Sequence, residues 1–84
     1  MKNKIIWVTG ASTGIGKAIA EKFSSKGCTV VITARSKSRL DDIVKEIRLT
    51  GREAMAYVCD VSSERSVIHT AKKIQEKYGT IDVL

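Results

Sequence analysis

Two kinds of apolar pattern alternate along the chain. Ile5-Ile6-Trp7-Val8 is a continuous apolar run ending in Thr9-Gly10. A run without polar alternation reads as a strand buried on both faces. A loop rich in glycine, serine and threonine follows, from Gly10 to Gly16. Ile15, Ala18, Ile19 and Phe23 then recur at three- and four-residue steps, which predicts a helix with these four on one face, ended near Gly27. Thr29-Val30-Val31-Ile32-Thr33 is a second strand, rich in β-branched residues. Ser36 or Ser38 can cap a second helix, striped by Leu40, Ile43, Val44 and Ile47 and followed by Gly51. Ala54 to Val58 reads as a third strand. Ser62 or Ser63 caps a third helix, striped by Val67, Ala71, Ile74 and Tyr78 and stopped by Gly79. Ile81-Asp82-Val83-Leu84 reads as the start of a fourth strand.

Strand–helix repeats of about thirty residues are the mark of right-handed βαβ units and a parallel sheet. The fold class expected is α/β, a Rossmann-type doubly wound sheet of about three βαβ repeats. This order also separates Cys28, before the second strand, from Cys59, after the third. On parallel neighbours they lie about 16 Å apart along the strands, well beyond the ~7 Å between Cα atoms that a disulfide allows. No bridge is expected. The two cysteines and the one histidine, His69, have no zinc spacing. His69 falls off the apolar stripe and reads as a surface residue. Trp7 reads as core.

Composition adds exclusions. The formal charge is +6, from 15 basic and 9 acidic side chains in 84 residues. The basic residues are spread, and Trp7, Phe23, Tyr57 and Tyr78 do not interleave with them as a single-strand-binding surface requires. Nucleic acid is therefore not an expected partner. No apolar run approaches the ~18–20 residues of a membrane span. The start, Met1-Lys2-Asn3-Lys4 and four apolar residues, lacks the pattern of a signal peptide. A cytoplasmic location is expected.

The sharpest chemistry lies in Thr9-Gly10-Ala11-Ser12-Thr13-Gly14-Ile15-Gly16, which leaves a buried strand and opens a helix. Glycines there permit a tight turn, close approach of backbone to a pyrophosphate, and packing of helix on sheet. The helix start offers unpaired N–H groups and the positive end of its dipole. Ser12 and Thr13 can add hydroxyl donors. A P-loop is excluded: five residues separate Gly10 from Gly16, and Lys17 is followed by Ala18, so no hydroxyl stands ready for Mg²⁺. Lys17 can approach a phosphate or stay in solvent.

The chain resembles the short-chain dehydrogenases/reductases in four features that come in order. They are Thr9-Gly10-x-x-x-Gly14-x-Gly16 after the first strand, Ala34-Arg35 closing the second, Cys59-Asp60-Val61 closing the third, and Ile81-Asp82-Val83-Leu84 entering the fourth. The resemblance implies an oxidoreductase that moves hydride between a nicotinamide cofactor and a small carbonyl or alcohol substrate. Gly10, Ser12, Thr13, Gly14, Ile15 and Gly16 would cradle the pyrophosphate. NAD-binding folds commonly place an acidic residue about twenty positions beyond the glycines. Here no Asp or Glu stands between Glu21 and Asp41, and Ala34-Arg35 closes the strand instead. A guanidinium pairs with the 2′-phosphate that a carboxylate would repel. NADP(H) is therefore expected over NAD(H), with Arg35 and Ser36 on the 2′-phosphate. By the same resemblance Asp60 would accept from the adenine amino group, with Val61 beside the ring.

The resemblance also defines what these residues lack. Members run to roughly 250 residues as one domain, and use a serine and a Tyr-x-x-x-Lys pair that lowers the tyrosine's pKa for proton exchange. Four residues after Tyr57 is Val61, and four after Tyr78 is Asp82. No catalytic residue is assigned. Residues 1–84 are read as the N-terminal dinucleotide-binding part of one Rossmann-type domain, with a homo-oligomer implied for a full-length form. In the 3-2-1-4 strand order, a short fourth strand is expected to leave much of the Ile5–Val8 edge unpaired. The alternative readings are a non-catalytic NADP(H)-binding module and an inactive truncated remnant.

Overall fold

The computed structural model describes residues 4–10 and 14–83. Elements follow the order β1 (Ile5–Thr9), α1 (Gly14–Ser25), β2 (Thr29–Ala34), α2 (Lys37–Leu49), β3 (Ala54–Val58), α3 (Glu64–Tyr78) and β4 (Asp82–Val83). The four strands form one parallel sheet in the order β3-β2-β1-β4. This is the doubly wound order expected from the alternation. β1 pairs with β2 along its whole length, from Ile5↔Thr29 to Thr9↔Thr33. On its other side β4 pairs with it at Ile6↔Asp82 and Trp7↔Val83.

Each strand sends alternate side chains to opposite faces. Ile6 and Val8, Val30, Ile32 and Ala34, and Ala54 meet Ala20 of α1 and Leu40, Ile43, Val44 and Ile47 of α2. The other face gathers Trp7, Val31 and Ile74, with Ile5, Tyr57, Val67, Ala71, Tyr78 and Ile81 half-buried against them. The apolar stripes of α2 and α3 thus point where their periodicity placed them. Thr70, absent from the predicted stripe, is buried too.

The first helix differs from its pattern. Its buried residues are Gly16, Ala20 and Ser24, with Ile19 and Phe23 half-buried beside them. Ile15 is 78% exposed and Ala18 also faces solvent. Small side chains let α1 lie close on the sheet, so the contact face runs through the smallest residues rather than the most apolar ones.

Caps follow side-chain chemistry. Ser63 is the N-cap of α3 and its hydroxyl accepts from the Ser66 N–H at 3.2 Å. Ser36 is the N-cap of α2 without a side-chain cap bond, and its hydroxyl lies 3.4 Å from that of Ser38. Cys28 and Cys59 are buried thiols not joined to each other. Among the described residues no helix is long and apolar enough to cross a membrane.

Candidate cofactor site at the carboxyl edge of the sheet

Parallel strands deliver their following loops to one edge, where ligands bind in open α/β sheets. Here backbone hydrogen bonds carry the ladder past the strand ends. The Gly10 N–H donates to the Thr33 carbonyl at 2.9 Å, and the Cys59 N–H donates to the Ala34 carbonyl at 3.0 Å. The three loop starts are thereby held side by side. Between them is a cleft of about 240 Å³ lined by Gly10, Ala34, Arg35, Ser36, Cys59 and Val61. Four of these six, Gly10, Arg35, Ser36 and Val61, are residues the sequence singled out. They come from three separate loops.

Gly10 has φ of +67°, a backbone state that favours glycine, and turns the chain off β1. Gly14 opens α1, whose first turn holds no acidic residue. Gly16 sits deeper, on the buried side of α1. Ile15 stands in solvent, and Ser12 and Thr13 lie outside the described residues. Lys17 is paired with carboxylates of α1 and α2. Its ammonium is 3.1 Å from Glu46 of α2 and 3.9 Å from Glu21. The Glu46 carboxylate holds it above the ordinary lysine pKa. His69 is exposed on α3.

Asp60 is tied to its own loop. Its Oδ1 accepts from the Ser62 hydroxyl at 2.7 Å and from the Ser62 N–H at 3.0 Å, while its own N–H donates to the Ser66 hydroxyl at 3.1 Å. Arg35 Nε lies 3.5 Å from the same Oδ1. The Ser62 bonds chiefly, and the Arg35 charge after them, hold the Asp60 carboxyl below its ordinary pKa. It is a carboxylate at neutral pH.

Comparison with known proteins decides the family. A model of the family described as short chain dehydrogenase matches residues 4–84. The chain belongs to the short-chain dehydrogenase family. An uncharacterised oxidoreductase of Bacillus subtilis is 42% identical over 84 residues, covering 100% of this chain and 31% of that protein. A metagenomic short-chain oxidoreductase solved in complex with NADP matches with a TM-score of 0.94 at 39% identity, covering 100% of this chain and 38% of that one. An NAD⁺-bound xylitol dehydrogenase matches with a TM-score of 0.92 at 34% identity, covering 98% and 32% respectively. The chain spans about a third of the length of these relatives.

The short-chain dehydrogenase site can be tested against a dinucleotide on its own geometry. A Cβ built on Gly14 meets no atom within 4 Å. The described protein leaves the space at this helix start open, which gives a phosphate room to approach the backbone. The residues present fit the group. Sequence reasoning named Ala34 and Cys59 only as parts of motifs, yet both line the cleft. The signal available was their place as the residues that close or follow strands, since every such residue reaches this edge.

Proposed function

We propose that this chain is the cofactor-binding part of an NADP(H)-dependent oxidoreductase acting between a carbonyl and a secondary alcohol. The nicotinamide, when bound, supplies or accepts hydride. Gly10, Ser12, Thr13, Gly14, Ile15 and Gly16 hold the pyrophosphate on the start of α1. Arg35 and Ser36 take the 2′-phosphate, and Asp60 and Val61 the adenine. The observation that carries the reading is the place of Arg35. It closes β2 at the rim of the cleft that Gly10 also lines, where an NAD-binding fold commonly has a carboxylate. The NADP-bound neighbour supports this choice, and the NAD⁺-bound one supports NAD(H) as the second reading.

The proton-transfer pair of the family is not among these residues, so the substrate belongs to the whole protein and is proposed only as a small carbonyl or alcohol. A cytoplasmic, homo-oligomeric full-length enzyme without a nucleic-acid partner completes the proposal. The buried thiols suit a reducing compartment.

The test is the dissociation constants for NADPH and NADH, measured by calorimetry on the full gene product and on its Arg35→Ala variant. The expected result is a wild-type preference for NADPH that falls by about tenfold or more in the variant, the range of a charged hydrogen-bonded contact. An NADPH preference that survives the substitution unchanged overturns the assignment of Arg35, and a wild-type preference for NADH favours the NAD(H) reading.

A further inference from the structure

Arg35 and Asp60 belong to different loops and have been assigned to different parts of the cofactor. The structure joins them. Asp60 Oδ1 carries both Ser62 bonds and faces Arg35 Nε at 3.5 Å. Among the described residues, Oδ2 of Asp60 and the two Nη groups of Arg35 have no partner. Each side chain therefore has one edge committed to the protein and one edge uncommitted; Arg35 lines the cleft, and Asp60 stands between its lining residues Cys59 and Val61 in the chain.

We infer that Asp60 is a positioning residue for Arg35, so that the carboxylate assigned to adenine also sets how strongly a 2′-phosphate is recognised. This rests on the cofactor assignment above. The argument is geometric. An arginine on a strand end is long and rich in rotamers, and Arg35 is 77% exposed. Held only at its Cα, it must be ordered when the phosphate arrives, and that ordering weakens binding. A carboxylate at Nε restricts the guanidinium plane and leaves the terminal Nη pair for two parallel bonds to phosphate oxygens. Asp60 can do this because Ser62 of its loop and Ser66 of α3 already hold it. An opposing effect exists, since Asp60 also repels a phosphate. Both groups stand in solvent, where screening weakens that repulsion. The Asp60–Arg35 pair is exposed and screened as well, so the net effect expected is that of an exposed pair.

The experiment is a double-substitution cycle on the full gene product, with NADPH and NADH as probes and the ratio of their dissociation constants as the readout. Loss of an adenine contact weakens both cofactors alike and leaves the ratio unchanged. Asp60→Asn is expected to lower the preference for NADPH by about threefold to fivefold, the range of an exposed pair. In an Arg35→Ala background the same change is expected to leave the ratio where it was. A ratio in Asp60→Asn within about 1.5-fold of wild type, a ratio that rises, or a fall that persists without Arg35 overturns the inference. If Arg35→Ala alone leaves the wild-type ratio unmoved, the 2′-phosphate assignment itself fails, which is a separate result. If Asp60→Asn does not fold, Arg35→Lys serves. It removes the Nε that Asp60 faces, so Asp60→Ser is then compared in the wild-type and the Arg35→Lys backgrounds: a fall in the ratio confined to the wild-type background supports the inference, and an equal fall or none in both overturns it.

Discussion

The two faces of the sheet are built to different specifications. On the α1/α2 face, Ile6, Val8, Val30, Ile32, Leu40, Ile43, Val44 and Ile47 are all buried. On the α3 face, Trp7, Val31 and Ile74 are buried, while Tyr57, Val67, Ala71 and Tyr78 stay half-buried around them. Two helices cover the first face and one covers the second. The side chains between helix and sheet also differ. Gly16 and Ala20 let α1 approach closely, whereas Trp7, Tyr57 and Tyr78 act as spacers, and α3 stands farther from the strands. The lesson is that the size of the intervening side chains, as much as their hydrophobicity, sets where a helix sits. Gly14 and Gly16 belong to the helix of the closely packed face, and Asp60 leads into the helix that stands off. Asp60 is held by hydrogen bonds to Ser62 of its own loop and to Ser66 in the first turn of α3.

The comparison is broken most severely in the core. Ile32→Ala on the α1/α2 face is expected to cost about 3–5 kcal/mol, because its fully buried surroundings cannot collapse into the cavity. Ile74→Ala on the α3 face is expected to cost less, about 2–3 kcal/mol, because half-buried neighbours can close over it. Urea denaturation of the gene product measures both. Equal costs would mean that the faces do not differ in packing.

A smaller effect probes the buried polar contact of the α3 face. Trp7 Nε1 donates to the Thr33 hydroxyl at 2.8 Å, and both residues are buried. Thr33→Val keeps the shape but leaves the indole N–H without its acceptor, at an expected cost of about 1–3 kcal/mol. Thr33→Ser, which keeps the acceptor, should cost less, and the same denaturation series compares them.

The smallest effect has the opposite sign. The Tyr78 hydroxyl is buried with no hydrogen-bond partner among the described residues. Burial first, then the charge of Glu53, pushes the Tyr78 pKa up. A raised pKa means that the folded state favours the neutral phenol. The corresponding stability is full below the unfolded value of about 10 and is lost as pH rises past it through the folded value. Tyr78→Phe is expected to leave stability unchanged or raise it by about 0.5–1 kcal/mol near neutral pH, and to flatten its decline above about pH 10. Melting temperatures across that pH range give the comparison.

Local chemistry by itself determined the element order, the parallel sheet and the stripes of α2 and α3, because period, β-branching and glycine stops are properties of neighbours in the chain. It also determined that Gly10, Arg35, Ser36 and Val61 share one edge, since βαβ units are right-handed and every strand ends there. Tertiary structure decided the rest. Ile15 and Ala18 belong to the apolar period of α1 yet face solvent, because the closest approach to the sheet selects Gly16, Ala20 and Ser24. Lys17 meets Glu46, Trp7 meets Thr33, and Arg35 meets Asp60 across 29, 26 and 25 positions respectively. No periodicity encodes such pairings. They follow from which loops and faces the folded sheet sets within a few ångströms of one another.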